Sequence, residues 1–168
     1  MENVLVALAL ITINVVSRML PHIPNVAPIA ASALFSSTIL KKRYAVIIPL
    51  VSMIISDFFI GFHSVLPFVW GSFIISGFMG MWLSTHRKTP YILGTTVLSS
   101  LQFFIVTNFG VWITTNMYPH TLTGLINCYA MGLPFYRFTF LGDMAYTLVL
   151  FGALAIVLRL KKRFAFQA

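Results

Sequence analysis

Apolar residues run along this chain in long blocks, each closed by a short polar or proline-bearing break. A bilayer crossing needs about 17 to 25 mostly apolar residues. Six runs of about that kind follow one another, at about 3–20, 25–40, 44–62, 65–84, 91–113 and 138–160. Pro21-His22-Ile23-Pro24 breaks the first run, because proline lacks the N–H that a helix interior needs. The second run is short, and Pro28 falls in its first turn, where proline is tolerated. Between the fifth and sixth runs lies a long connection, about 114–137, holding Pro119, Gly124, Gly132 and Pro134. Part of it, 122–133, is predicted as a short helix dipping into the membrane interface. The apolar residues come in continuous runs without alternation, which argues against a β-barrel. The pattern predicts an all-α integral membrane protein, with one six-helix transmembrane domain spanning residues 1–168 and no internal repeat.

Charge gives this bundle a direction. Nine of the eleven cationic side chains lie in three clusters: Lys41-Lys42-Arg43, Arg87-Lys88 and Arg159-Lys161-Lys162-Arg163. These follow the second, fourth and sixth runs. Lys and Arg next to membrane spans stay on the cytoplasmic side, so both termini are expected in the cytoplasm and the protein in the cytoplasmic (inner) membrane.

Composition narrows the class. Hydrophobic residues make up 59% of the 168 and charged ones 8%, against about 25% charged in a soluble domain. The net charge of +8 belongs to span ends, where anionic headgroups are the expected neighbours, and nucleic acid is not an expected partner. Cys128 is the single cysteine, which rules out an internal disulfide. Met1-Glu2-Asn3 carries no positive n-region, so the first run is not expected to be a signal peptide. No phosphate-loop motif, H-E-x-x-H, G-x-S-x-G or CxxC pair occurs. The expectation is a protein that is not an enzyme, has no cofactor and cannot drive itself with ATP.

Small residues recur at four-residue spacing, at Ala27 and Ala31 and at Ser72, Ser76 and Gly80. Such rows let helices approach closely in lipid, within the bundle or against a partner protein.

The remaining polar groups gather at the end away from the basic clusters. Arg18, Asp57, Arg137 and Asp143 share one depth, and His22, His63 and His120 fall on the connections of that side. Ionisable groups within spans are costly and are either paired or functional. Two readings stay open. The charges form ion pairs, for example Arg18 with Asp57 and Arg137 with Asp143, the latter requiring Arg137 on the loop. Alternatively they line an outward cavity for a polar ligand. Asn108 and Trp112, four apart, share a helix face. Trp70, Asn116, Tyr118, Asn127, Tyr129 and Tyr136 lie on the same side, as does Gln102 by its position on the fifth run. The aromatics suit an interfacial belt. With the amides they also have the make-up of a small-molecule site. Cys128 reads as a small apolar filler or as a ligand for a metal-bearing substrate.

Six segments carry a family resemblance. They are Arg18-Met19-Leu20-Pro21-His22-Ile23-Pro24-Asn25-Val26-Ala27-Pro28-Ile29-Ala30-Ala31, Ser56-Asp57-Phe58-Phe59-Ile60-Gly61-Phe62-His63, Thr107-Asn108-Phe109-Gly110-Val111-Trp112, Gly124-Leu125-Ile126-Asn127-Cys128-Tyr129, Leu133-Pro134-Phe135 and Gly142-Asp143. Together they resemble an uncharacterised family of small bacterial six-span membrane proteins. That family is similar in size, span count and topology to the substrate-binding S components of energy-coupling-factor vitamin transporters. The resemblance implies an S-component-like bundle that holds a vitamin or related compound near its outer face. It would dock on a transmembrane coupling protein carrying two ATPases. S components often dock through an A-x-x-x-A row on the first helix. Here that helix offers Ala7 and Ala9, two apart, and the nearest such row is Ala27 to Ala31. A solitary transporter therefore stays open. Some solitary S components handle cobalamin, which makes Cys128 a candidate ligand for cobalt.

The expected function is a membrane-embedded substrate-binding subunit for uptake of a small micronutrient. Its expected binding residues are Arg18, His22, Asn25, Asp57, His63, Trp70, Asn108, Trp112, Tyr118, Asn127, Tyr136 and Asp143. Alanine at Asn108 or Asp57 is expected to weaken binding. The alternative from another class is a structural or scaffolding protein of the cell envelope, with its polar groups all paired.

Overall fold

A computed structural model of the chain describes residues 2–21 and 26–165. The described residues form six α-helices: α1 (Glu2–Met19), α2 (Ile29–Ile39), α3 (Tyr44–Ile60), α4 (Leu66–Leu83), α5 (Thr89–Thr114) and α6 (Leu122–Ala165). Residues 66–83, 89–114 and 122–160 are long and apolar enough to cross a bilayer, and the chain reads as a multi-pass membrane protein. Of the other three, α1 and α3, with 18 and 17 residues, lie at the lower end of the crossing range, and α2 is shorter than expected for a crossing. With 11 residues, α2 is only about 16 Å long at 1.5 Å per residue, half of a ~30 Å hydrocarbon core.

The bundle is inverted relative to a water-soluble one. Its outer surface carries Phe58, Phe59, Leu98, Leu141 and Val149, all largely exposed, whereas Asn14, Ser32, Ser52, Ser76, Thr96, Ser99 and Thr147 are buried. Exposed apolar side chains cost nothing in lipid, and small residues inside let helices close up. The buried hydroxyls are satisfied locally. Ser52, Ser56 and Ser76 each donate to the carbonyl four residues earlier, at 2.8–3.0 Å, an arrangement open to serine in a helix.

The centre of the bundle is α2. All its residues from Ile29 to Thr38 are buried, and it packs against each of the other five helices. Its sequence, IAASALFSSTI, has small residues around its whole circumference. At Gly80 of α4 a Cβ would lie 3.1 Å from Leu34 Cα, so the Ser72-Ser76-Gly80 row serves packing within the bundle. Ser76 Oγ also meets Ser99 Oγ of α5 at 2.8 Å. Ala27 and Ala31 do not form a helical row, because the helix begins at Ile29, after Pro28, and not at residue 25. Ala7 is buried against Leu10, Phe35 and Ile48.

Helix α6 departs most from expectation. Segments 122–133 and 138–160 are one continuous helix of 44 residues with Pro134 inside it. Proline costs one backbone hydrogen bond, but α5 holds both halves along a single antiparallel seam. Cys128 Sγ donates to Asn108 O (3.3 Å), Tyr129 Oη to Ile105 O (2.9 Å), Ser100 Oγ to Asp143 Oδ2 (2.7 Å) and Thr96 Oγ1 to Thr147 Oγ1 (3.3 Å). Arg137 is consequently on the helix, not on a loop, and it is exposed.

The basic clusters end up together. A cavity is lined by Thr38 at the end of α2, Arg87 between α4 and α5, and Leu158 late in α6. The Lys41-Lys42-Arg43 turn follows α2 directly.

Candidate functional site

At the end away from the basic clusters lies one largely buried ion pair. Asp57 Oδ1 accepts from Arg18 Nη2 at 2.6 Å, and Asp57 Oδ2 accepts from Trp70 Nε1 at 2.8 Å. Arg18 also contacts Met53 Sδ through Nη1. Asp57 is 1% exposed and the Arg18 side chain 17%. The three partners come from α1, α3 and α4, so the cluster ties those helices together. Gly61 sets up the geometry. It ends α3 at φ 114°, a conformation that favours glycine, and its N–H bonds Asp57 O at 2.9 Å. The chain then turns back to deliver Trp70.

Below this pair, Asn14 of α1 bridges two neighbours. Its Nδ2 donates to Ser52 Oγ (3.1 Å) and its Oδ1 accepts from Ser32 Oγ (2.8 Å). Asn14 lies within an apolar run, and only its fully buried position reveals it as a polar bridge between α1, α2 and α3.

Asp143 is in a different situation. It is 4% exposed, and among the described residues its hydrogen-bond partner is Ser100. The expected Arg137–Asp143 pair is absent. Arg18–Asp57 is the salt bridge found among the described residues. Residues six apart on a continuous helix point in different directions, which sends Arg137 outward and Asp143 inward.

Asp143 and Arg18 line a cavity of about 180 Å³, together with Ala27, Ile29, Ala30, Phe73, Phe103 and Thr139. A second cavity, of about 430 Å³, shares Phe103 and Thr139 with the first. It is lined by His63, Asn108, Tyr118, Cys128 and Tyr136 among others. The two adjoin across a common wall. Asn108 Nδ2 is engaged with Phe104 O at 2.8 Å, and the Tyr136 ring packs 5.0 Å from that of Phe104.

The structure thus brings together Arg18 and Asp143 in the smaller cavity, and His63, Asn108, Tyr118 and Tyr136 in the larger. Asp57 and Trp70 support the smaller cavity from behind, through Arg18. Trp112 lies apart, donating to Pro119 O at 3.0 Å, and Asn127 is exposed. His22 and Asn25 lie outside the described residues. Cys128 is 2% exposed and lines the larger cavity. Among the described residues no cluster of three His, Cys, Asp or Glu is placed to hold a metal ion. Phe73, Phe103 and Thr139 carry no ionisable group and have no motif, so the chain alone does not mark them. Their place is set by how α4, α5 and α6 meet.

No curated protein and no solved structure matches this chain significantly. The model of a family of unknown function, DUF6580, matches residues 1–166, and the chain belongs to that family.

Proposed function

We propose that this protein is a membrane-embedded binding subunit for uptake of a small micronutrient, a vitamin or related compound. The ligand sits in the two adjoining cavities at the end away from the basic clusters. On this reading the helices cross the cytoplasmic membrane as an S-component-like bundle, with both termini inside and the cavities open to the outside. The observation that carries it is the smaller cavity, where a buried carboxylate without a basic partner among the described residues meets an aromatic and alkyl wall. Apolar walls with a few convergent polar groups are the usual make-up of a ligand site. Energy would come from another protein, either a coupling module with two ATPases or, for a solitary transporter, another source.

Native mass spectrometry of gently purified protein tests this. A stoichiometric small molecule is expected on the wild type, and Asn108→Ala should retain less of it. A ligand-free protein with a stable protein partner would instead favour a scaffolding role. The closed Arg18–Asp57–Trp70 cluster supports that second reading, since a scaffold keeps its polar groups paired.

Sidedness has its own test. Cys128 is too buried to report on it. In a Cys128→Ser background, cysteine at the exposed His120 should react with a membrane-impermeant maleimide on intact cells. Cysteine at the exposed Thr85, beside Arg87, should react only after lysis. The opposite pattern would leave the cavities without an outer entrance.

A further inference from the structure

The smaller cavity specifies a charge as well as a shape. Its surroundings contain three ionisable groups among the described residues: Arg18, Asp57 and Asp143. Arg18 and Asp57 compensate each other at 2.6 Å. Asp143 has a hydroxyl donor in Ser100 and forms no ion pair among the described residues. Burying a carboxylate without a counter-charge is costly, and in a membrane such a group marks a functional position by default. With Asp143 ionised, two carboxylates face one guanidinium, and a cationic partner would supply the missing counter-charge. Apart from Thr139, the rest of the lining is apolar: Ala27, Ile29, Ala30, and the Phe73 and Phe103 rings, whose centroids lie 5.2 Å apart.

We infer that the ligand of this cavity is an organic monocation with an apolar or aromatic body, its cationic group held by Asp143 and its body against Phe73 and Phe103. The inference rests on the binding-subunit reading above and names the ligand's chemical class. Ser100 is a positioning residue, orienting the carboxylate from α5. Cations are also attracted to aromatic faces, which gives the rings a second role. A hard metal ion fits less well. Such ions take six or more oxygen ligands, whereas the lining offers one carboxylate and the Thr139 hydroxyl among carbon atoms.

Three probes of nearly one shape decide the matter: 2-phenylethylammonium, 2-phenylethanol and phenylacetate, titrated calorimetrically into the full-length protein in an uncharged detergent, with protein-free micelles as the blank. The ammonium probe should bind saturably and at least about tenfold more tightly than the alcohol, the low end of measured couplings between close charge pairs. Asp143→Asn should abolish that preference, bringing the ammonium and alcohol affinities together. If Asp143→Asn does not fold, the ammonium-to-alcohol ratio in the wild type decides alone. Equal or tighter binding of the alcohol or of phenylacetate overturns the cation inference while the binding-subunit reading stands. Displacement of the ammonium probe by equimolar sodium ion also overturns it, in favour of an inorganic cation. Failure of all three probes to bind overturns the inference and counts against the cavity as a binding site.

Discussion

Asp57→Ala should destabilise the bundle by about 3–5 kcal/mol, the usual result of removing one partner from a buried ion pair. The cause is not the lost contact alone. Arg18 keeps its charge with the side chain only 17% exposed and loses its carboxylate partner, and Trp70 Nε1 loses its acceptor as well. Asp57→Asn should cost less, because an amide oxygen can still accept from Trp70. The pair Arg18→Met with Asp57→Leu should recover most of the loss, since well-packed apolar residues often replace a buried ion pair at little net cost. Denaturation by SDS in mixed micelles, run as a double-mutant cycle, measures all four proteins. Wild-type stability in Asp57→Ala would show that Arg18 reaches another acceptor or the headgroup region, and the cluster would then not be the tie between α1, α3 and α4. The cycle also bears on function. Loss of ligand in Asp57→Ala is ambiguous, because the fold suffers too, whereas Asn108 at the larger cavity gives a cleaner reading.

Gly80→Ala should cost about 3 kcal/mol, the upper end of the range for overpacking. A methyl group there meets the α2 backbone, with the Ala33 carbonyl carbon and Leu34 Cα each at 3.1 Å. Backbone cannot rotate away as a side chain can, so α4 would have to move off α2. The matched control is Gly94→Ala on α5, where a Cβ has nothing within 4 Å. That change should be neutral, or stabilising by up to about 1 kcal/mol through helix propensity. Equal effects at the two positions in the same SDS titration would mean that α2 and α4 are not in close contact. Because α2 lines the smaller cavity with Ile29 and Ala30, Gly80→Ala should disturb the site as well as the fold, although Gly80 lies far along α4 from it.

Much of the architecture was legible in the order of residues. Helices α1, α3, α4 and α5 begin and end within a few residues of the apolar runs that predict them, because each run is bounded by prolines, glycines or charge. The basic clusters share one end of the bundle for the same reason: in an up-and-down chain, alternate connections lie together. The polar end was legible too, since ionisable side chains among apolar runs stand out by type alone.

Other features were decided only when the helices packed. Pro134 looks like a break, but the α5 seam runs past it and α6 is continuous. That continuity turns Arg137 to the surface and Asp143 inward, so one expected ion pair is absent while Arg18–Asp57 forms. A local pattern can place a charge at a depth, but it cannot say which neighbour from a distant helix will meet it. Asn14, Ser100 and Thr139 are ordinary within their own helices and acquire meaning only from what faces them. Membrane insertion depends on residue type summed along a run, and the chain states that directly. Compensation of a buried charge depends on a few ångströms between distant segments, and only the folded bundle sets that distance.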